Sequence, residues 1–405
     1  MLAFYCILEQ EKEILMLDNL TIEFIKKHRN EDVRKLALQA AHYPSVDMNA
    51  ALCQIEGWQL AQQKLPSWHN TEGLLYPPKI SMEQCSSEAT SGYKASLMQG
   101  TYFADLTGGF GIDCSYISPR FRHAAYIERN TTLCNIARHN FSLLGLDNIE
   151  IINSNCEEAI STLNKCDWIF IDPARRDTKG NKVAALDDCE PDITRMEEMI
   201  LSKCNSAMIK CSPMLDITAA CRQLKHVKEI HVVAVNNECK ELLFILNNID
   251  DNSEPIIHCI NITKEGRQTF TSKLQQRNTV KYAQEIEKFL YEPNAAIQKA
   301  GCPSALSMQF NIKKLHPNSN LYTATEVVKD FPGRTFIIEK VSTFSKGDIK
   351  DFLKGMEKAN ITVRNFPDTV QTLRKRFKLT EGGDNYIFAT TLADNRKVLI
   401  KCRKI

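Results

Sequence analysis

Two carboxylates 23 residues apart, with three glycines between them, are the most chemically pointed part of this chain. Asp105-Leu106-Thr107-Gly108-Gly109-Phe110-Gly111-Ile112-Asp113 follows the apolar Phe103 and Ala104, and a second apolar run, Ala124 to Ile127, closes on Glu128. The pattern predicts a strand, a glycine turn, a helix, and a strand whose tip carries an acid. Glycine reaches φ > 0 without a Cβ penalty and lets the backbone come close to a ligand. The helix N-terminus behind it presents unpaired N–H donors. A carboxylate at the next strand tip can accept both hydroxyls of a ribose. These residues suit a nucleoside-containing ligand; the bland alternative is a glycine turn in an ordinary α/β domain.

Departures from the dinucleotide fingerprint narrow the ligand. The order here is G-G-x-G, Cys114 stands where G-x-G-x-x-G has its last glycine, and Asp105 precedes the turn. An acid suits a ligand that carries an ammonium and a sulfonium, and no pyrophosphate then needs a cradle. The stretch resembles motif I of class I S-adenosylmethionine (SAM)-dependent methyltransferases. That resemblance implies SAM as cofactor; no metal is expected. It also implies a cofactor site built from Asp105, Thr107, Gly108, Gly109, Gly111, Asp113, Glu128 and its neighbour Arg129, with Asn155, Cys156 and Asp172 further on. Asn155 follows the short strand Ile149–Ile152, where methyltransferases meet the adenine amino group; as a plain helix cap for Glu157 onward it would look the same.

A second cluster follows the predicted strand Asp167–Ile171, in Asp172-Pro173-Ala174-Arg175-Arg176-Asp177. Ligands of open parallel sheets bind beyond the carboxyl ends of strands, where strand order reverses. Asp172 is therefore expected to face the transferred methyl group, with Pro173 stiffening the backbone beside it. The motif resembles the Asp-Pro-Pro-x and Asn-Pro-Pro-Tyr signatures of nucleobase methylases, but Ala174 replaces the second proline and no aromatic residue follows. Arg175 and Arg176 are read as catalytic or substrate-binding guanidiniums, or as salt-bridged supports. The fifth strand runs into Lys210-Cys211-Ser212-Pro213. Lys210 is placed to reach the cleft, and Cys211 has two readings. As a nucleophile it would match enzymes that methylate carbon 5 of a pyrimidine; as one of fifteen cysteines it is more simply a small core residue.

The elements that must position these groups alternate strand and helix from residue 101, which argues for a parallel sheet. Before it, 19–65 carries apolar residues at helical spacing, with Asp18 and Asn30 as candidate caps. The stretch 66–80 is proline-rich and aromatic, a loop or lid. The strand pair Glu229–Val235 and Pro255–Ile260 is read as the hairpin that ends a seven-stranded sheet, with Glu238 to Phe244 between. Residues 261–280 read as polar linker, and 284–290 and 294–297 as helical. The final part predicts strand 334–341, helix 346–358, strand 361–365, helix 370–377 and a hairpin over 385–403. The expected organisation is a helical region over 1–97, a methyltransferase domain over 98–270, and an α+β domain over 281–405.

Charge is unevenly spread. Residues 331–405 hold 16 Lys plus Arg against 8 Asp plus Glu, whereas the whole chain is only +2. A basic tail on an acidic body suggests a polyanion partner, and Arg374-Lys375-Arg376-Phe377-Lys378 mixes base and aromatic as a phosphate-binding face would. The cysteines are odd in number and form no C-x-x-C pair, which argues against a disulfide framework or a zinc site and for reduced thiols in the cytoplasm. The N-terminal eight residues carry neither a signal peptide nor a span, so no membrane is expected.

Together, Asp-Leu-Thr-Gly-Gly-Phe-Gly-Ile-Asp, Ile-Asp-Pro-Ala-Arg-Arg-Asp, Lys-Cys-Ser-Pro and the basic α+β tail resemble a bacterial family of class I SAM-dependent methyltransferases with a C-terminal THUMP-like domain. The resemblance implies a Rossmann-like sheet and methylation of RNA, tRNA or rRNA, with Arg374, Lys375, Arg376 and Lys378 on the RNA. The competing readings are a SAM- or RNA-binding module without turnover, and a methyltransferase for a protein or small molecule.

Overall fold

The computed structural model describes residues 17–175, 186–249, 253–274 and 279–405. Residues 176–185, Arg176 among them, lie outside the described residues. The chain divides into two compact units, residues 1–227 with 243–250, and residues 228–242 with 251–405. Among the described residues no helix is long and apolar enough to cross a membrane.

The first unit opens with helices α1 (Asn19–His28), α2 (Val33–Leu38), α3 (Met48–Lys64), α4 (Pro66–His69), α5 (Lys79–Gln84) and α6 (Glu88–Leu97). Asp18 caps α1 by accepting from Thr21 N at 2.8 Å. The cap of α2 is Asp32 and not Asn30, because the Asp32 carboxylate accepts from both Arg34 N and Lys35 N. The proline-rich stretch is helical only at its two ends, in α4 and at the start of α5, and irregular over 70–78. It buries Trp68, Leu74 and Tyr76 in one cluster with Met82, Phe110 and Ile112, so it packs directly against the glycine turn.

Strands β1 (Tyr102–Asp105), β2 (His123–Glu128), β3 (Ile149–Asn153) and β4 (Cys166–Ile171) alternate with helices α7 (Ile112–Ile117), α8 (Thr131–Leu143) and α9 (Cys156–Thr162). A two-residue pair, β5 (Ala174–Arg175) with β6 (Cys189–Glu190), then leads to α10 (Ile193–Lys203), β7 (Cys204–Cys211) and α11 (Ile217–Gln223). Next come β8 (Val227–Val235), β9 (Glu238–Asn247), β10 (Ile256–Thr263) and β11 (Gly266–Lys273). The sheet order is β11-β10-β8-β9-β7-β4-β1-β2-β3, and β1 to β4 with β7 are parallel. Order reverses between β1 and β4, and the loops leaving these two strands diverge there.

Among the described residues the sheet has nine strands rather than the expected seven, and its hairpin falls elsewhere. β9 begins inside the segment expected to join the two terminal strands. It follows β8 through Asn236-Asn237, both at left-handed φ (49° and 64°), the two-residue turn that asparagine favours. The polar start of β9, Glu238-Cys239-Lys240-Glu241, conceals the wholly buried Leu242–Phe244 that follow. Ile256–Thr263 instead pairs parallel to β8, and residues 266–273, expected as linker, pair antiparallel to β10.

The remainder of the second unit is a seven-stranded sheet of order β13-β14-β12-β15-β18-β17-β16. Its strands are β12 (Phe289–Pro293), β13 (Lys313–His316), β14 (Ser319–Ala324), β15 (Gly333–Thr343), β16 (Asn360–Arg364), β17 (Tyr386–Thr391) and β18 (Lys397–Lys404). Its helices are α12 (Ala295–Ala300), α13 (Pro303–Gln309), α14 (Lys346–Phe352) and α15 (Val370–Phe377). The expected helix over 284–290 is absent. Phe289, Leu290 and Tyr291 are all buried in a central strand between β14 and β15, and consecutive apolar residues covered on both faces suit a strand. The helix expected to reach 358 stops at Phe352, with Leu353 as its cap.

Candidate active site

β1 delivers Asp105 to the cleft almost fully buried. The chain then turns through Thr107 to Gly111 while the Asp105 carboxylate accepts from Thr107 N at 3.0 Å. Gly108 is required by contact: a Cβ there would stand 2.2 Å from the Tyr126 ring. Gly109 is required by conformation, at φ 55°, and faces nothing closer than Thr107 O at 3.8 Å. The turn is tied to β2 at two points. Gly109 N donates to Glu128 Oε2 at 2.9 Å, and the Tyr126 hydroxyl donates to Gly109 O. Asn130 N donates to the other oxygen, Glu128 Oε1, at 2.8 Å.

From the other side of the reversal point, Asp172 N donates to Thr107 Oγ1 at 2.7 Å. The Asp172 carboxylate is paired with Lys210 at the end of β7. The tips of β1, β2, β4 and β7 thus gather Asp105, Thr107, Glu128, Asp172 and Lys210 around the glycine turn, with half-buried Pro173 next in the chain.

Asp113 lies at the start of α7, but its carboxylate is turned to α6. It accepts from Ser86 Oγ at 2.7 Å and Ser91 Oγ at 2.6 Å, and pairs with Lys94 Nζ at 3.1 Å. Lys94 is wholly buried. Burial opposes ionisation of Asp113, yet Lys94, Lys210 and the two serine hydroxyls together hold its carboxyl below the ordinary range. Asp113 therefore anchors α6 to the glycine turn. Ser86, Ser91 and Lys94 are the functional neighbours that the sequence reading missed. Gly92 on the same helix would find nothing within 4 Å of an added Cβ, so α6 borders open space beside this anchor.

Burial pushes the Asp105 carboxyl well above its usual range, and the charges of Asp113, Asp172 and Glu128 push the same way against the Thr107 N–H. Four carboxylates meet two ammonium groups, Lys94 and Lys210, among the described side chains here. Such a site favours a cationic ligand.

Asn155 caps α9, its Oδ1 accepting from Glu158 N at 2.8 Å, and Cys156 behind it is buried. Arg129 points away from the turn to an ion pair with Glu190 at 2.6 Å. Asn153, not singled out from sequence, donates to Glu128 O at 2.9 Å and accepts from Thr131 Oγ1. Cys211 is buried, and burial raises its thiol strongly, away from the thiolate that a nucleophile needs. Arg175 lies in β5, and its side chain, like all of Arg176, is outside the described residues.

In the second unit, Arg374 to Lys378 close α15. Arg374 is mostly covered and lies 3.7 Å from Glu381, while Arg376 sits 4.4 Å above the Phe344 ring and 3.9 Å from Asp368. Lys375 and Lys378 are exposed. Lys378 takes a left-handed φ of 53° as the helix cap. Buried Glu292 of β12 joins Arg334 of β15 and Arg364 of β16.

Strand order β3-β2-β1-β4-β7, extended by the β8–β9 hairpin, with a glycine turn and an acid at adjacent strand tips, defines a class I methyltransferase fold. Family descriptions match two segments of the chain: a ferredoxin-like domain over residues 289–332 and a THUMP domain-like segment over 333–404. A crystal structure of a candidate methyltransferase from Porphyromonas gingivalis W83 is 35% identical, with a TM-score of 0.86, over 98% of this chain and 100% of that one. The chain belongs to that protein's family, which joins a class I methyltransferase sheet to a C-terminal THUMP-like domain. An rRNA methylase from Streptococcus thermophilus is 14% identical, covers 39% of this chain and 94% of its own, and has a TM-score of 0.30. M. capricolum TrmK bound to S-adenosylhomocysteine is 16% identical over 41% of this chain and 71% of its own, with a TM-score of 0.31. Likenesses this low bear on neither substrate nor cofactor here. Among curated proteins none matches the chain.

Proposed function

We propose that this protein is a SAM-dependent methyltransferase that modifies a base in RNA, tRNA or rRNA, brought to it by the THUMP-like domain. The observation that carries the reading is the single cluster at the strand tips. There the Gly108–Gly111 turn, Glu128 and Asp172 are held together by Gly109 N, Thr107 Oγ1 and Lys210.

The cluster fits the cofactor on its own chemistry. Gly109 leaves its outer face open, Gly92 borders open space, and an excess of carboxylates suits a ligand with an ammonium and a sulfonium. Gly108 to Gly111, Glu128, Asn155 and Cys156 would hold it, and when bound it supplies an electrophilic methyl group. Asp172 orients the acceptor base. Its backbone is fixed by Thr107 and its carboxylate by Lys210, so alignment and local charge supply most of the rate. Cys211 has no part in this scheme. RNA as substrate rests on the THUMP domain-like match over 333–404 and on exposed Lys375 and Lys378 at the end of α15.

Three measurements test the proposal. Calorimetry with S-adenosylhomocysteine on the pure protein should show one site, and no heat would end the enzymatic reading. Mass spectrometry of nucleosides from total RNA, with and without the gene, should show one methylated nucleoside lost. An unchanged profile alongside intact cofactor binding would move the substrate to a protein or small molecule. Asp172→Ala should still bind cofactor and lose methyl transfer; retained turnover would remove Asp172 from the mechanism.

A further inference from the structure

Three metal-ligating side chains meet on β8 and β10, wholly within the second unit. Glu229 and His231 are two apart on β8 and so share a face. His258 is the register partner of His231 on the parallel neighbour β10. The two imidazole rings stack, with centroids 4.6 Å apart and planes 18° from parallel. Both present Nε2 to one atom: Glu229 Oε2 lies 3.1 Å from His231 Nε2 and 3.4 Å from His258 Nε2. One ligand atom from each of the three lies within 4.8 Å of the others.

The two Nε2–Oε2 separations are those of ligands around one ion. Zinc binds imidazole nitrogen and carboxylate oxygen at about 2.0–2.1 Å in a tetrahedron, whose edges are then about 3.3–3.4 Å. The residue types agree as well, since imidazole and carboxylate suit zinc and its neighbours in the first transition row. Thr271 Oγ1, opposite His258 on β11, lies 3.3 Å from His258 Nδ1 and so directs the other ring nitrogen at Glu229. Ligating histidines are regularly oriented in this way by a partner on the far nitrogen. The Glu229 side chain is 43% exposed and that of His258 28%, so ions have access and a fourth position is open to water.

We propose that Glu229, His231 and His258 form a three-ligand site for a divalent transition-metal ion of the zinc type. The ion would clamp β10 to β8, a parallel pair that no hairpin joins. This proposal is independent of the methyl-transfer reading, because none of its residues belongs to the strand-tip cluster.

The experiment uses the full chain without a polyhistidine tag, stripped with chelator and titrated with zinc chloride alone by calorimetry. One equivalent should bind and raise the thermal midpoint, and both effects should weaken at least tenfold in Glu229→Gln and in His258→Ala. Cobalt(II) at the same site should give visible d–d bands without sulfur-to-cobalt charge transfer, because no cysteine is a ligand. The proposal is overturned if the parent takes up no zinc. It is equally overturned if both variants bind zinc as the parent does, or if the cobalt complex shows thiolate ligation. A variant that melts early but keeps the parent's zinc affinity counts against the site.

Discussion

Replacing Gly108 and Gly109 separately with alanine should split folding from cofactor binding. At Gly108 the new methyl meets three atoms of the Tyr126 ring at 2.2–2.6 Å. The ring cannot step aside easily: Tyr126 is fully buried, meets Phe141 edge-on at 5.5 Å, and is tethered by its hydroxyl to Gly109 O. Overpacking of this kind costs about 1–3 kcal/mol, and losing the tether adds about 1 kcal/mol. A loss of about 3 kcal/mol corresponds to about 6–12 °C in the midpoint of a unit of this size. At Gly109 the added methyl has room, so the cost is the left-handed backbone alone, about 1–2 kcal/mol. The methyl would occupy the face on which the cofactor should lie. Gly108→Ala should therefore melt earliest, whereas Gly109→Ala should lose less, about 2–8 °C in midpoint, and lose S-adenosylhomocysteine affinity at least tenfold. Differential scanning calorimetry and titration calorimetry read the two effects separately. Parent-like affinity in a folded Gly109→Ala protein would refute the placing of the cofactor on this turn.

Lys94→Met removes the buried ammonium paired with Asp113 and should cost about 3–5 kcal/mol by urea denaturation; a loss under about 1 kcal/mol would show that the ion pair does not anchor α6. Asp105 gives a pH signature of fixed sign. Its folded carboxyl is raised, so its contribution to stability is complete below the ordinary carboxylate range and is lost as pH rises through the folded value. Asp105→Asn should accordingly gain on the parent as pH rises, and binding of a cationic cofactor to the parent should release a proton, read as buffer-dependent heat. Lys375→Ala with Lys378→Ala should weaken RNA binding in filter assays and flatten its log–log salt slope by about 1–2, while leaving cofactor affinity unchanged.

The part of the site written in local sequence was legible, because strand, glycine turn and strand tip are determined over a few residues each. Thr107 to Gly111, Glu128 and Asp172 carry their own turn chemistry, and the structure brings them together. The part that was not legible depends on pairing across distance. Asp113 entered the cofactor set through the resemblance alone; its partners Ser86, Ser91 and Lys94 precede it by 19–27 residues and meet it only when α6 packs. A trace of this was present: Ser91 and Lys94 are three apart, and thus share a helical face with Ser87, and a lysine among Tyr93 and Ala95 implies a buried acid to receive it. The misreadings share a cause. Residues 284–290 have helical spacing and Glu238–Glu241 are polar, yet neighbouring strands impose extended backbone on Phe289–Tyr291 and on β9, because a covered position in a sheet outweighs a propensity worth a fraction of a kilocalorie. The pairing of His231 with His258 is the same effect in its purest form. Nothing local links residues 27 apart in the chain, and only the parallel register of β8 with β10 sets the two rings against one carboxylate.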